Sequence, residues 1–400
     1  MMFPTAVHKG AAQVADKLIF LSVGDDSGDL HAANLMRAIR ETEPAARFTG
    51  LGMDRMAEVG LEPLSPDWER HSSMWLRNIL RAGRFRRRLA VCRRFFDSRR
   101  PDLVIPVDFG GFNLCLCKVA AARGIPVFYY IPPQVWAHGR YRVKKLRKWV
   151  TRAGLIYPFE KDLYARYGVQ AEYLGHPLFD ELDRNPPSER TVADLRRRFG
   201  ERLIGVFPGS RPQEVIAHMP AIVESCGHIR RALPDATFAV LGGPKVGDVL
   251  SGLLSRSSHE LEVLENVRPA ELAQASKLCI TKSGTITLEI ASQGTPMVIF
   301  YRASPLLAFM AYGLSETQVV GLVNLLAGRV ICPEKATSGN CGRWIADEAL
   351  KLLQNPDAYE ACRQAIRQAL LGFAQLGASA RAARSALSLI RRSGQDEGLT

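Results

Sequence analysis

Pro208 to Val215 reads P-G-S-R-P-Q-E-V, directly after the apolar run Leu203 to Phe207. That order is the signature of a strand that enters a glycine turn and opens a helix. Such a turn seats phosphate, because free backbone N–H groups and the positive end of the helix dipole converge on it. Arg211 adds a guanidinium whose fork matches phosphate oxygens, and Gly209, Ser210 and Glu214 share the turn. A second seat of the same kind, Lys282-Ser283-Gly284-Thr285, follows Leu278 to Ile280 and precedes a helical run to Gln293, with Glu289 one turn in. Ordinary βα turns are glycine-rich as well, but two such seats in one half of the chain suggest a ligand with two phosphates, a nucleoside diphosphate.

The other half carries a different chemistry. Gly24-Asp25-Asp26-Ser27-Gly28-Asp29 follows an apolar run and opens a helix, with Ser27 and Asp29 the expected caps. Acids at a helix start repel phosphate, so a neutral hydroxyl-bearing group such as a sugar acceptor suits this end better. Asp108 closes the run Leu103 to Val107 and precedes Phe109-Gly110-Gly111-Phe112-Asn113. A carboxylate at the end of a strand, walled by two phenylalanines and reached past two glycines, is placed to take a proton, and partial desolvation would make it a stronger base. Helix capping is the structural alternative for the same residue.

These residues need a scaffold of alternating strands and helices, and the sequence supplies one. Strand-like runs at Leu18 to Val23, Leu103 to Val107, Pro126 to Ile131 and Leu155 to Tyr157 alternate with helical runs at Leu30 to Arg40 and Asn113 to Ala122. The scheme repeats with strands near Leu203 to Phe207, Thr237 to Leu241, Glu260 to Leu264, Leu278 to Ile280 and Met297 to Tyr301. Such alternation implies parallel sheets covered by helices. A chain of 400 residues exceeds one core. The expected fold is α/β: a Rossmann-like domain over residues 1–183, a second over 184–373, and a C-terminal helix with a frayed end over 374–400, joined through the Pro- and charge-rich stretch Pro177 to Arg190. The two domains are expected to face each other across a cleft.

Composition narrows the class further. No apolar run approaches the ~18 residues of a membrane span, and the first residues lack the pattern of a signal peptide, which points to the cytoplasm. The eight cysteines form no C-x-x-C pair and read as reduced thiols. No D-x-D occurs, so the sequence requires no metal. The net charge of +13 calls for an anionic partner. Trp75 to Arg100 and Gly139 to Arg152 interleave arginines and lysines with apolar residues, the pattern of basic amphipathic helices, which suits an anionic membrane surface or a merely solvated face. Paired phosphate seats argue against a charge-driven nucleic-acid binder, which has no need of them.

Taken in order, G-D-D-S-G-D, V-D-F-G-G-F-N, P-P-Q-V-W-A (Pro132 to Ala137), P-F-E-K (Pro158 to Lys161), G-H-P-L-x-D (Gly175 to Asp180), P-G-S-R-x-x-E-V, S-G-T-x-T-L-E and N-L-L-A-G-R (Asn324 to Arg329) resemble the motifs of lipid A disaccharide synthases. The resemblance runs from about Lys17 to Leu370. It implies a GT-B glycosyltransferase without cofactor that joins UDP-2,3-diacylglucosamine to 2,3-diacylglucosamine 1-phosphate, releasing UDP and the β-1,6 disaccharide 1-phosphate for lipopolysaccharide. By position it implies Asp108 as general base, Arg211 as phosphate contact and Asn324 as a further active-site residue. Ser283, Gly284, Thr285 and Glu289 resemble the segment that holds UDP, and Gly24, Ser27, Gly28, Asp29, Asn113, Gln134 and Trp136 fall in the other substrate-side motifs. A peripheral place on the cytoplasmic face of the inner membrane follows from the same resemblance. The chain departs from the family pattern over Gly60 to Ile79, at Gly111, at His138-Gly139 and at Lys335 to Thr337. A UDP-sugar 2-epimerase or another UDP-sugar-dependent glycosyltransferase on the same scaffold is the alternative.

Overall fold

The computed structural model describes residues 17–64, 81–134, 141–255, 261–302, 319 and 321–390. Contacts divide the chain into two units, one of Met1–Val135, Arg140–Leu174 and Gly377–Thr400, the other of Trp136–Gly139 and Gly175–Leu376.

In the first unit, β1 (Leu18–Ser22), β2 (Arg47–Leu51), β3 (Leu61–Pro63) and β4 (Leu103–Pro106) form a parallel sheet in the order β3-β2-β1-β4. A second parallel sheet of β5 (Phe128–Tyr130), β6 (Arg152–Leu155) and β7 (Ala171–Tyr173) continues it through the bridges Val104↔Val127 and Val107↔Tyr130. β1 and β4 are apolar and buried along nearly their whole length because helices cover both faces of a parallel sheet. The last helix, Ala378–Leu387, belongs to this unit and packs on the first helix, Asp26–Thr42. Arg381 Nε donates to the Leu174 carbonyl at 2.7 Å and Arg152 donates to Ser388 Oγ at 2.8 Å, tying that helix to the rest of the unit.

The second unit holds β8 (Leu203–Phe207), β9 (Thr237–Leu241), β10 (Glu262–Leu264), β11 (Leu278–Lys282), β12 (Met297–Arg302) and β13 (Glu334–Thr337), all parallel, in the order β10-β9-β8-β11-β12-β13. This is the doubly wound order, with the direction of winding reversing between β8 and β11. The stretch Pro177 to Arg190 is largely helical. The helix Pro177–Arg184 begins on a proline, whose fixed φ suits a first turn, and Ser188 caps the helix Glu189–Phe199.

The basic segments form the helices Arg81–Arg99 and Tyr141–Trp149 as far as the described residues reach. Their apolar stripes face inward. Phe85 meets Phe112 at 5.2 Å, Phe96 meets Phe20 at 4.9 Å, and Cys92, Val143 and Leu146 are fully buried. What remains outside is charge, with Arg86, Arg87, Arg93, Arg94, Lys144, Lys145, Arg147 and Lys148 all exposed. Both helices pack against the intervening helix Gly110–Ala121. Among the described residues no helix is long and apolar enough to cross a membrane, and all eight cysteines are free thiols.

Candidate active site

In the first unit the winding reverses between β1 and β4, whose ends are in register at Ser22↔Pro106. Loops leaving such neighbours part in opposite directions and open a crevice at the carboxyl edge, where α/β sheets bind ligands. The loop after β1 is capped by Asp25, not by the expected Ser27 or Asp29: Asp25 Oδ1 accepts from the Gly28 N–H at 2.9 Å. The Asp29 carboxylate lies inward, 3% exposed, and accepts the N–H groups of Met53 (2.8 Å) and Arg55 (3.0 Å). Burial raises its pKa, an effect those amides offset only in part. Asp29 therefore starts the short helix Asp54–Glu58, which sequence alone did not reveal. Gly24 is required for a close approach, since a Cβ there would lie 2.0 Å from the Phe109 ring.

Asp108 follows β4 in the left-handed region at φ +48, and so does Phe109. Two successive non-glycine residues in this region cost on the order of 1–3 kcal/mol each and persist only where the surroundings enforce them. The enforcing groups are visible. The Asp108 carbonyl accepts from the Tyr129 hydroxyl and from Asn113 Nδ2, both at 2.8 Å, and its N–H donates to the Tyr130 carbonyl at 3.1 Å. Asn113 is fully buried; its Nδ2 also donates to the Ser22 and Val107 carbonyls, and its Oδ1 accepts from Ser22 Oγ at 2.8 Å. Asn113 thus braces the turn that holds the half-buried Asp108 at the carboxyl edge. Gln134 is exposed, and Trp136 lies outside the described residues.

In the second unit β8 and β11 run side by side to Phe207↔Thr281, which brings the two sequence-predicted seats together. The 21-residue helix Pro212–Ala232 begins at Arg211 with no side-chain cap, so its first-turn amides are open to an anion. Arg211 and Lys282 converge on one oxygen, Glu214 Oε1, at 3.3 and 3.2 Å. Gly209, at φ +130, takes a conformation that favours glycine, and a Cβ there would meet Glu214 Oε2 at 2.7 Å. Ser210 and Thr285 are exposed; the Ser283 N–H is engaged by the Phe300 carbonyl, and the Gly284 carbonyl accepts from the Thr287 hydroxyl. The Arg211–Glu214–Lys282 arrangement holds two cations beside an uncapped helix, where a diphosphate could replace the carboxylate as their partner.

His218, a residue sequence reasoning missed, fixes this turn from below. It is 1% exposed, and its Nδ1 lies 2.7 Å from the Pro208 carbonyl. A carbonyl only accepts, so Nδ1 carries the proton and donates. Burial pushes the imidazole below its usual range. The signal for it lay in helical spacing, since His218 sits one turn beyond Glu214 on the same helix.

Glu289 stands apart from those cations in its contacts. Its carboxyl is bonded to the Ala270 amide, and burial raises its pKa to about 7. Asn324 is also fully buried, with every polar atom employed: Oδ1 accepts the N–H groups of Ile331 and Cys332 at 2.9 Å, while Nδ2 donates to the Cys332 carbonyl and to Glu334 Oε2 at 2.8 Å. In this arrangement Asn324 anchors the chain that enters β13.

Comparison with known proteins adds lineage to this geometry. The profile of a family described as lipid-A-disaccharide synthetase matches residues 19–387. A lipid-A-disaccharide synthase of Geobacter sulfurreducens is 34% identical over 373 residues, 93% of this chain and 97% of the relative. One of Coxiella burnetii is 33% identical over 347 residues, 86% of this chain and 90% of that one. Among solved structures, a putative UDP-N-acetylglucosamine 2-epimerase from Listeria monocytogenes superposes with a TM-score of 0.61 at 14% identity, covering 93% of this chain and 95% of its own. The glycotransferase of kitacinnamycin reaches 0.62 at 16% identity, covering 94% and 100%. At such identities these two likenesses speak of the fold alone.

Proposed function

The chain belongs to the lipid-A-disaccharide synthetase family and is a GT-B glycosyltransferase, and from that premise we propose that it transfers 2,3-diacylglucosamine from UDP to 2,3-diacylglucosamine 1-phosphate with inversion. The products are UDP and the β-1,6 disaccharide 1-phosphate. The observation that carries this reading is the meeting of Arg211 and Lys282 on Glu214 Oε1 at the β8/β11 reversal, beside an uncapped helix start. That site suits the diphosphate of the donor, whose charge grows as the anomeric C–O bond breaks. On the first unit, Asp108 is the base that takes the proton of the attacking 6-hydroxyl, with Tyr129 and Asn113 fixing its turn. Asn113 and Asn324 serve as positioning residues in this account. The sequence relatives are synthases, so the epimerase reading keeps only a likeness of shape.

The exposed basic faces of Arg81–Arg99 and Tyr141–Trp149 suit an anionic membrane surface, which supports a peripheral position on the cytoplasmic leaflet for an enzyme of acylated substrates. With the apolar stripes of their described residues spent in the core, attachment by these helices is electrostatic.

The donor site is tested by calorimetry. Arg211→Ala should weaken UDP binding by ~10-fold or more while uridine, which has no phosphate, binds the variant and the parent alike. Unchanged UDP affinity in a folded variant would remove the diphosphate from this turn.

A further inference from the structure

Two thiols of the second unit lie close together outside the site described above. Cys332 lies two residues before the start of β13, and its backbone N–H and carbonyl are both clamped by Asn324. Cys362 lies on the helix Pro356–Leu370, with its Sγ 3.9 Å from Cys332 Sγ and 3.3 Å from the Ile331 carbonyl, to which it donates. The two differ in access. Cys362, 6% exposed, lines a surface cavity of about 530 Å³ together with Val330, Trp344, Glu348 and Leu352, whereas Cys332 is fully buried and is not part of that lining.

We propose that Cys332 and Cys362 form a reversible redox pair that a hydroperoxide converts to a disulfide, with Cys362 reacting first and Cys332 resolving. The chemistry balances. The Cys362 thiolate attacks one oxygen of hydrogen peroxide, breaking the O–O bond; the sulfur becomes a sulfenic acid, and the departing hydroxide takes up a proton as water. Cys332 sulfur then attacks that sulfur, the S–O bond breaks, and a second water leaves with the Cys332 proton. Two thiols and one peroxide give one disulfide and two waters.

Several observations set this pair apart from deeply buried cysteines such as Cys92 and Cys226. Burial pushes the Cys92 and Cys226 thiols up to about 12, which keeps them inert. The Sγ–Sγ contact holds the Cys362 thiol below its ordinary range, while Cys332 itself is held high. Bond formation needs the sulfurs to close from 3.9 Å to about 2.05 Å. The bond would tie the Ile331–Pro333 segment to the helix Pro356–Leu370, and because Asn324 grips the Cys332 backbone, the strain would reach Asn324 and Glu334. None of this rests on the transfer reaction.

The test exposes the full-length folded protein to stoichiometric hydrogen peroxide, followed by denaturation, alkylation and mass spectrometry. The wild type should carry six alkyl groups in place of eight, yield a linked peptide joining Cys332 to Cys362, and return to eight after dithiothreitol. With dimedone present, Cys332→Ser should accumulate an adduct on Cys362, and Cys362→Ser should show none on Cys332. Absence of the linked peptide at peroxide doses that leave circular dichroism unchanged would overturn the pairing. A link through another cysteine would overturn it equally, and dimedone trapping on Cys332 would overturn the assigned order.

Discussion

Asp108 carries the heaviest assignment of any residue, and its backbone makes a clean test possible. Asn is as well suited as Asp to the left-handed conformation at φ +48, so Asp108→Asn removes the charge and leaves the turn intact. Turnover should fall by at least ~10²-fold with UDP affinity unchanged, read from initial rates and calorimetry on the same preparation. Retained turnover would take Asp108 out of the chemistry. Glu289 makes a prediction in pH. Its carboxyl is raised from 4.5 to about 7 by burial, so folding takes up a proton between those values. Stability from this group is then full below about pH 4.5 and is lost as pH rises through 7, by on the order of 3 kcal/mol at most. Urea midpoints from pH 4.5 to 8 should show that slope in the parent and lose it in Glu289→Gln; parallel profiles would mean Glu289 titrates normally. At this scale the sequence disclosed residue types better than roles. Glycine turns and strand-end charges marked Arg211 and Asp108, but nothing local distinguishes a side chain aimed at a ligand from one consumed by backbone. Asn113, Asn324 and Asp29 all read as candidate ligands and prove to be engaged with main-chain groups.

Strands were legible where their runs are continuously apolar. β8 and β9 coincide with their apolar runs because both faces of a central parallel strand are covered. β2 starts on Arg47 and contains Gly50, β3 is Leu-Glu-Pro, and β13 is Glu-Lys-Ala-Thr; β3 and β13 are edge strands, held by one neighbour and free to be polar. The basic helices show the limit of periodicity: an amphipathic pattern reports a buried stripe without saying whether protein or lipid buries it. Here protein does, through Phe85, Cys92 and Phe96. The consequence for membrane attachment is measurable. Replacing the exposed Arg86, Arg87, Arg93 and Arg94 with Gln should reduce co-sedimentation with anionic vesicles, at roughly 1 kcal/mol per charge. Raising salt should abolish binding of the parent as well, since the apolar stripes of these helices, as far as described, lie in the core. Binding that persists in high salt would assign attachment to an apolar segment elsewhere.

At the scale of the whole molecule, one architectural idea is used twice. Each unit winds a parallel sheet outward in both directions from a central pair, β1/β4 in one and β8/β11 in the other, and each sets its charged candidates at that reversal. The alternation of runs made this plan legible. The return of Ala378–Leu387 to the first unit was not legible, because an alanine-rich helix carries no mark of its destination; contacts such as Arg381 to the Leu174 carbonyl supply it. The proposed reaction joins two acylated sugars, and product analysis decides it. Purified protein is incubated with UDP-2,3-diacylglucosamine and 2,3-diacylglucosamine 1-phosphate, and the products are followed by mass spectrometry with NMR of the new linkage. A disaccharide 1-phosphate with a β-1,6 bond should form one-for-one with UDP. Release of UDP without disaccharide, or a donor returned as its C2 epimer, would contradict it.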